Sequence, residues 1–252
     1  MLTLERQLSI LEYLKHHHCV SVAELSQIFY ISQTSIRRDL DKLEGLGLIR
    51  KTYGGAVLVQ GNNEVISLEA RSKIGKEAKS VIAKRAITLL HDNDVIFMDS
   101  SSTVLAMAPY LGQVGHVSVI TNGLMLASAL AEYPNCNLYV LGGYVTPHTH
   151  SMHSSTAFRM VDEVHADYLF FSPKAVDNDG NIYCADADEA NIRRHMMRKC
   201  EHTVMLCDHN KLEHYASFKL CTIRDISTMI SEVIPSPEFS KQLQDNGVNI
   251  MI

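Results

Sequence analysis

The chain has 252 residues, 46% of them hydrophobic, and a formal net charge of −5. That length suits one small and one medium domain, and the apolar content excludes a disordered chain. No apolar run approaches the roughly 20 residues that cross a bilayer, and the charged opening stretch Met1–Arg6 is unlike a secretory leader, so the expectation is a cytoplasmic protein with no membrane partner.

Leu4, Leu8, Leu11 and Leu14 recur at helical spacing and predict an amphipathic first helix that ends in His16-His17-His18. A short β-like stretch, Cys19–Val22, follows. Ser21 with Glu24 has capping-box spacing and predicts a second helix with Ala23, Leu25, Ile28 and Phe29 turned inward. Tyr30-Ile31 makes a turn, and Ser32 caps a third helix over 32–43. Ile36, Leu40 and Leu43 form its apolar stripe, Thr34, Arg38 and Asp41 face the other way, and Arg37 lies on the flank. Ser32, Gln33, Thr34, Ser35, Arg37 and Arg38 therefore offer hydroxyls, an amide and two guanidiniums, the groups that contact base edges and phosphates in a major groove. Two helices joined by a short turn, the second presenting its N-terminal end, predict a helix-turn-helix.

Gly45 and Gly47 end the third helix. Leu48–Tyr53 then reads as a strand and Gly54-Gly55 as a turn into Ala56–Val59, a hairpin wing whose Arg50 and Lys51 point to phosphates. Residues 1–56 hold seven Lys/Arg against six Asp/Glu, and five of those cations fall between Arg37 and Lys51. Local clustering, not total charge, is what a phosphate backbone requires. The stretch SVAELSQIFYISQTSIRRDLDKLEGLGLIRKTYGGA, with Arg37-Arg38-Asp39-Leu40 in the third helix and Gly54-Gly55-Ala56 after the wing strand, resembles the N-terminal domain of the DeoR family of bacterial regulators. The resemblance implies a double-stranded DNA operator as partner.

The expected boundaries are a winged helix-turn-helix over 1–58, a linker over 59–75 and an α/β effector-binding domain over 76–252. Glu69, Arg71 and Glu77-Ala78-Lys79 are a variant of a family pattern in the linker region, and no role is assigned to them. Beyond it, helical and strand-like runs alternate. Helices are expected at Val81–Leu90, Thr103–Leu111, Leu124–Glu132 and Glu189–Cys200. Strands are expected at Val95–Met98, Val117–Ile120, Leu138–Leu141, Tyr168–Phe171 and Thr203–Leu206. This alternation predicts a mostly parallel sheet covered on both faces, with ligands beyond the strands' carboxyl ends.

Polar clusters stand at those ends: Asp99-Ser100-Ser101-Ser102-Thr103, Thr121-Asn122, Gly142-Gly143, Lys174 with Asp177, and Asp208 with Lys211. With Glu189 they suit a polyol phosphate, the hydroxyl loop and lysine taking the phosphate and Asp, Asn and Glu the hydroxyls. The family resemblance extends over this domain, implying a fold similar to ribose-5-phosphate isomerase and a phosphorylated-sugar effector. Ser101 replaces the glycine usual in the family's hydroxyl loop, Ser154-Ser155 stand where a glycine usually follows Gly142-Gly143, and Lys174 replaces a small residue.

Cys19, Cys136, Cys184, Cys200, Cys207 and Cys221 are dispersed and read as reduced thiols. His148, His150 and His153 match no zinc spacing, so no metal and no cofactor are expected. The reading is a transcription regulator, typically a repressor of carbohydrate genes, acting as a homo-oligomer (dimer or tetramer). Two alternatives stay open. One is an isomerase-like enzyme using Lys174, Asp177, Asp186 and Glu189; the other is an activator or ligand-blind regulator, motivated by Ser101 and Ser154-Ser155.

Overall fold

The computed structural model describes residues 3–17, 19–58 and 67–252, and the chain divides between Ala70 and Arg71 into two compact units. In the first, α1 (Thr3–His17), β1 (Cys19–Ser21), α2 (Val22–Phe29), α3 (Gln33–Gly45), β2 (Ile49–Thr52) and β3 (Gly55–Leu58) follow in order. The strands form an antiparallel sheet in the order β1-β3-β2. Ile10, Leu11, Leu14, Leu25, Ile36, Leu40, Leu43 and Ile49 are buried.

Helix α1 turns Gln7, Ile10, Leu11 and Leu14 inward and leaves Leu8 exposed, so its buried stripe is rotated from the leucine spacing. In α2 the buried residues are Val22 and Leu25, one turn apart; Ala23 and Ile28, expected inside, are exposed. Ser21 caps α2 by accepting from the Glu24 amide, while the Glu24 carboxylate accepts from Tyr13 Oη at 2.8 Å. Tyr30 closes that helix in the left-handed region. Asp39, expected to be polar surface, is buried: it accepts from Arg6 Nε at 2.5 Å and from Gln7 Nε2 at 3.0 Å, tying α1 to α3. The Gly54-Gly55-Ala56 motif has a steric basis. Gly54 turns at φ 109°, a Cβ on Gly55 would stand 2.2 Å from the Val20 carbonyl oxygen, and Ala56 fills the core beneath.

Helix α4 (Leu68–Lys73) spans the division between the two units and lies in the stretch read as a linker, whose residues 59–66 are outside the described residues. Then come α5 (Lys76–Ile87), β4 (Val95–Met98), α6 (Ser102–Leu105), α7 (Ala108–Leu111), β5 (Val117–Thr121), α8 (Leu124–Leu130) and β6 (Cys136–Val140). A hairpin of β7 (Tyr144–Val145) and β8 (Met152–His153) precedes α9 (Ser155–Asp162) and β9 (Ala166–Phe171). The chain continues through β10 (Ala175–Val176), β11 (Asn181–Cys184), α10 (Ala187–Met197), β12 (Cys200–Leu206), β13 (Phe218–Thr222), β14 (Thr228–Ile230), α11 (Pro237–Asp245) and β15 (Asn249–Met251).

Seven parallel strands form the main sheet, in the order β15-β14-β12-β9-β4-β5-β6. Side chains alternate between its faces. Phe97, Leu169, Phe171 and Met205 pack with α9, α10 and α11, whereas Ile96, Met98, Phe170, Val204 and Leu206 pack with α5 to α8. Burial on both sides explains why the strands read as unbroken apolar runs. The winding runs outward from β4 to β6, then returns to β9 on the other side of β4. The crevice at such a reversal, beyond the strand ends, is where α/β sheets bind ligands.

Several elements depart from the sequence pattern. Thr103–Leu111 is two short helices, with Pro109 at the start of the second. Helix α5 begins at Lys76, five residues before its apolar run, because Lys79 finds backbone acceptors inside. Helix α10 stops at Met197, and Cys200 opens β12. β10, β11 and β13 form a separate antiparallel sheet that the sequence pattern did not indicate.

Candidate functional site

The first unit presents one polar face. Ser32 caps α3 by accepting from the Ser35 amide at 3.3 Å, and its Oγ lies 3.1 Å from Ser35 Oγ. Arg37 Nη2 donates to Gln33 Oε1 at 3.2 Å, which ties the amide to the guanidinium. Gln33, Thr34, Arg37, Arg38 and Asp41 are all exposed, opposite the buried Ile36, Asp39, Leu40 and Leu43. The Arg-Arg-Asp-Leu motif therefore sends two cations outward and a carboxylate and a leucine inward. On the wing, Arg50 and Lys51 are exposed. Lys51 Nζ pairs with Asp41 and lies 3.7 Å from Glu44 Oε2, while its backbone amide donates to Glu44 Oε1 at 2.8 Å. Its side chain thus leans on α3. Tyr53 at the wing tip and Tyr30 at the turn between α2 and α3 are also fully open, and the sequence analysis did not single them out.

In the second unit the ends of β4, β9 and β12 converge. Asp99 is buried, and its carboxylate accepts from the Ser101 amide at 2.9 Å, the Ser172 amide at 3.1 Å, and Arg193 Nε and Nη2, each at 2.8 Å. With that many donors it positions Arg193 and the loop rather than offering itself to a ligand hydroxyl. Arg193 Nη1 reaches Cys184 Sγ at 2.9 Å and Glu189 Oε2 at 3.4 Å. Burial alone would lower the Arg193 guanidinium, but Asp99 and its neighbours hold it well above its ordinary value.

Lys211 Nζ donates to Thr103 Oγ1 at 3.0 Å and to Ser172 Oγ at 2.6 Å, and pairs with Asp208 Oδ2 at 3.2 Å. Ser172 Oγ in turn donates to the Leu206 carbonyl, so the three strand ends are laced together. Desolvation pushes the Asp208 carboxyl up, but Lys211 and Lys79 bring it below its usual value. Ser101 sits at φ −77° and caps α6 by accepting from the Val104 amide. That backbone region suits any residue, so the loop does not require a glycine there. Thr121 Oγ1 accepts from the Gly123 amide at 3.0 Å, and Asn122 is buried with Oδ1 unpartnered. Ser154 caps α9 and donates to the Gly142 carbonyl at 2.7 Å, a structural use for the serine that replaces glycine.

Asp177 is placed apart from this cluster. Its carboxylate accepts from the Asn181 amide at 2.8 Å, Asn181 Nδ2 at 2.9 Å and Tyr183 Oη at 2.8 Å, bracing the β10–β11 turn. Four residues that the sequence analysis gave no role belong to the cluster instead: Arg71, Lys79, Ser172 and Arg193. Lys79 Nζ donates to the Ile74 carbonyl at 2.8 Å and also to the Arg71 carbonyl. Burial, then Lys211 and Arg71, lower its amine to about 8 against the pull of Asp208. Burial, then Arg71 and Lys211, also lower Lys174. Arg71 is lowered by burial, in the field of Glu189, Arg193 and Asp99, and its Nε is buried without a hydrogen-bond partner. Five cations (Arg71, Lys79, Lys174, Arg193 and Lys211) thus share one neighbourhood with the carboxylates of Asp99, Glu189 and Asp208.

Two family models match the chain: the DeoR-like helix-turn-helix domain over residues 6–61 and the DeoR C terminal sensor domain over residues 74–233. The chain belongs to the DeoR family. Among its DeoR relatives, the HTH-type transcriptional regulator GolR of Listeria innocua is 31% identical over 100% of this chain and 99% of its own length. The transcriptional repressor GlcR of Bacillus subtilis is 29% identical over 98% of this chain and 95% of its own. The L-fucose operon activator of Haemophilus influenzae is 32% identical over 88% and 89%. Among solved structures, a D-ribose-5-phosphate isomerase in complex with phospho-erythronic acid aligns at TM-score 0.41 and 17% identity over 54% of each chain. This DeoR protein is accordingly a DNA-binding transcription regulator with a helix-turn-helix unit and an α/β sensor unit. No helix among the described residues is long and apolar enough to cross a membrane, and no described group of three His, Cys, Asp or Glu residues is placed to hold a metal ion.

Proposed function

We propose that the protein is a cytoplasmic repressor of carbohydrate-metabolism genes whose sensor unit binds a phosphorylated sugar, and that this binding changes its hold on operator DNA. The observation that carries the reading is the crowding of Arg71, Lys79, Lys174, Arg193 and Lys211 at the ends of β4, β9 and β12, with a buried Arg71 Nε left unpartnered among them. The donors of a structural ion network are normally satisfied. One whose cations lower one another and leave a donor without an acceptor suits a phosphate dianion. Ser100, Ser101, Ser102 and Thr103 line the adjoining loop, and Lys211 bridges Thr103 to Asp208.

On DNA, α3 occupies the major groove: Ser32, Gln33, Thr34, Ser35, Arg37 and Arg38 contact bases and phosphates, and Arg50 and Lys51 contact phosphate from the wing. Lys51 exchanges its pairing with Asp41 and Glu44 for phosphate, so its loss weakens all sequences alike. Paired half-sites need two copies of the chain. The exposed Tyr139 on edge strand β6 lines an apolar cleft with Ile120, Leu141, Met160 and Val164, which supports homo-oligomer contacts along that edge.

The enzyme alternative needs an available carboxylate base. Asp99 and Glu189 face Arg193, Asp177 braces a turn, and Asp186 caps α10 by accepting from the Glu189 amide. This supports sensing without turnover. The test is fluorescence polarisation on DNA from the upstream region of the protein's own gene, with a sugar-phosphate panel. Tight, salt-sensitive binding relieved by one compound is expected. Arg37→Ala and Arg38→Ala should each cost about 1–3 kcal/mol of operator binding; full binding by both variants would rule out α3 as the reading helix.

A further inference from the structure

The β7–β8 hairpin is stitched to the end of β5, next to the hydroxyl loop. The Leu124 amide donates to the His150 carbonyl at 2.9 Å, the Met152 amide donates to the Asn122 carbonyl at 2.8 Å, and Gly123 bridges Ser151. Gly123 packs against Ser100, since a Cβ there would meet Ser100 Cα at 2.9 Å. From the hydroxyl loop, through Thr121-Asn122-Gly123, to the hairpin, the chain is therefore in continuous contact. On the other side, β8 lies beside α10, which carries Glu189 and Arg193.

Three polar atoms in this region are buried with no hydrogen-bond partner: Asn122 Oδ1, His150 Nδ1 and His153 Nδ1. Asn122 itself is 1% exposed. Leaving buried polar groups unmade is costly, and native structures rarely do so without a ligand or water to complete them. His153 is held by its other nitrogen, with Nε2 2.9 Å from Ser151 Oγ, which also lies 2.8 Å from Thr149 Oγ1. That arrangement fixes the ring and leaves Nδ1 as the remaining polar edge. An amide oxygen accepts only, whereas an imidazole nitrogen donates or accepts according to tautomer. Together they match sugar hydroxyls, each of which both donates and accepts.

We infer that Asn122, His150 and His153 form a second subsite, on the β7–β8 hairpin, that reads the hydroxyls of the effector while the cation cluster holds its phosphate. The inference rests on the phosphorylated-sugar reading above and adds to it the residues that choose among sugars. The hairpin sets specificity; the cluster sets affinity for the anion.

The experiment is isothermal titration of the full-length protein with inorganic phosphate and with a panel of pentose and hexose phosphates, for wild type, His153→Phe, His153→Asn and His150→Asn. Phe keeps the ring and removes both nitrogens. Asn returns a polar atom near the Nδ1 position and tolerates the left-handed φ of 52° at His150. Wild type is expected to bind one sugar phosphate more tightly than inorganic phosphate. His153→Phe should lose about tenfold of that preference, the scale of one lost hydrogen bond. It should still bind inorganic phosphate as wild type does, which also reports that it is folded. The two Asn variants should retain most of the preference. If His153→Phe keeps the full preference, or loses inorganic phosphate in the same proportion, the hairpin subsite is wrong while the sugar-phosphate reading stands. If wild type binds no sugar phosphate at all, both are wrong.

Discussion

Lys79 gives the sharpest quantitative consequence of the sensor pocket. The residue is 6% exposed and its ammonium is held by the Arg71 and Ile74 carbonyls, with Lys211 and Arg71 raising the local potential. Burial and those cations bring the amine from 10.5 to about 8. At roughly 1.4 kcal/mol per pK unit, the unliganded pocket carries about 3 kcal/mol of unfavourable charging at this one group. A phosphate dianion relieves it, returns the amine toward its ordinary value and draws in a proton. At pH 8 the free amine is half charged, so binding takes up about half a proton per site, and affinity falls about tenfold from pH 7 to pH 9. The ligand's own second ionisation, near pKa ~6, is complete at pH 8 and adds nothing.

The sign for stability is opposite. Between about 8 and 10.5 the unfolded chain holds the Lys79 proton and the native chain does not, so this group makes unliganded stability rise with pH across that window. Calorimetry at pH 8 in two buffers of different ionisation enthalpy, using the tightest sugar phosphate of the panel, measures the uptake directly. Lys79→Met should abolish it. Intact binding with no proton uptake in wild type would refute the assignment of Lys79 to the anion pocket.

Three further outcomes follow from the packing. Asp39→Ala strands Arg6 and Gln7 at the α1–α3 contact and should cost about 3 kcal/mol in the helix-turn-helix unit, read by chemical denaturation; a loss within experimental error would mean the pair is only a surface contact. Asp99→Ala leaves the Arg193 guanidinium buried without its main partner, and should cost about 3–5 kcal/mol and remove any thermal shift with sugar phosphates. Gly143→Ala places a Cβ 2.5 Å from the His153 carbonyl oxygen at φ 151°, and about 1–3 kcal/mol of strain should weaken sugar-phosphate binding while operator affinity without ligand is unchanged.

The helix-turn-helix was legible because its signals are local. The Ser32 cap, the Ile36-Leu40-Leu43 stripe and the Gly54-Gly55-Ala56 turn each lie within a dozen residues, and each is found as read. The errors there come from burial that a local pattern does not encode. Ile28 is apolar but lies off the α2 stripe, and Asp39 is charged but inside, because its partners Arg6 and Gln7 lie on another helix. In the sensor unit the parallel strands and most of their polar ends were legible for the same reason: apolar runs of β4, β5 and β12 end abruptly in Asp99, Thr121 and Asp208. Asp177 was misplaced because it follows β10, a two-residue strand of the side sheet, and not a strand of the main sheet.

Lys174 and Lys211 were read at strand ends, but Arg71, Lys79 and Arg193 were not, and the reason is physical. A lysine or arginine in a polar helical stretch reads as solvated surface, as Lys79 and Arg193 do in sequence, and only the fold brings Arg193 to a carboxylate 94 residues away. Asp99 illustrates how the pocket's chemistry then differs from its inventory. Its four nitrogen partners remove it from ligand recognition, yet without it Arg193 would be a bare buried charge. The same reasoning separates a sensor from a structural core. If no cation were lowered by its neighbours and every donor were met, the cluster would stabilise the fold and respond to nothing. The lowered Lys79 amine and the unpartnered Arg71 Nε make the unliganded state the costly one, so that a dianion has something to relieve.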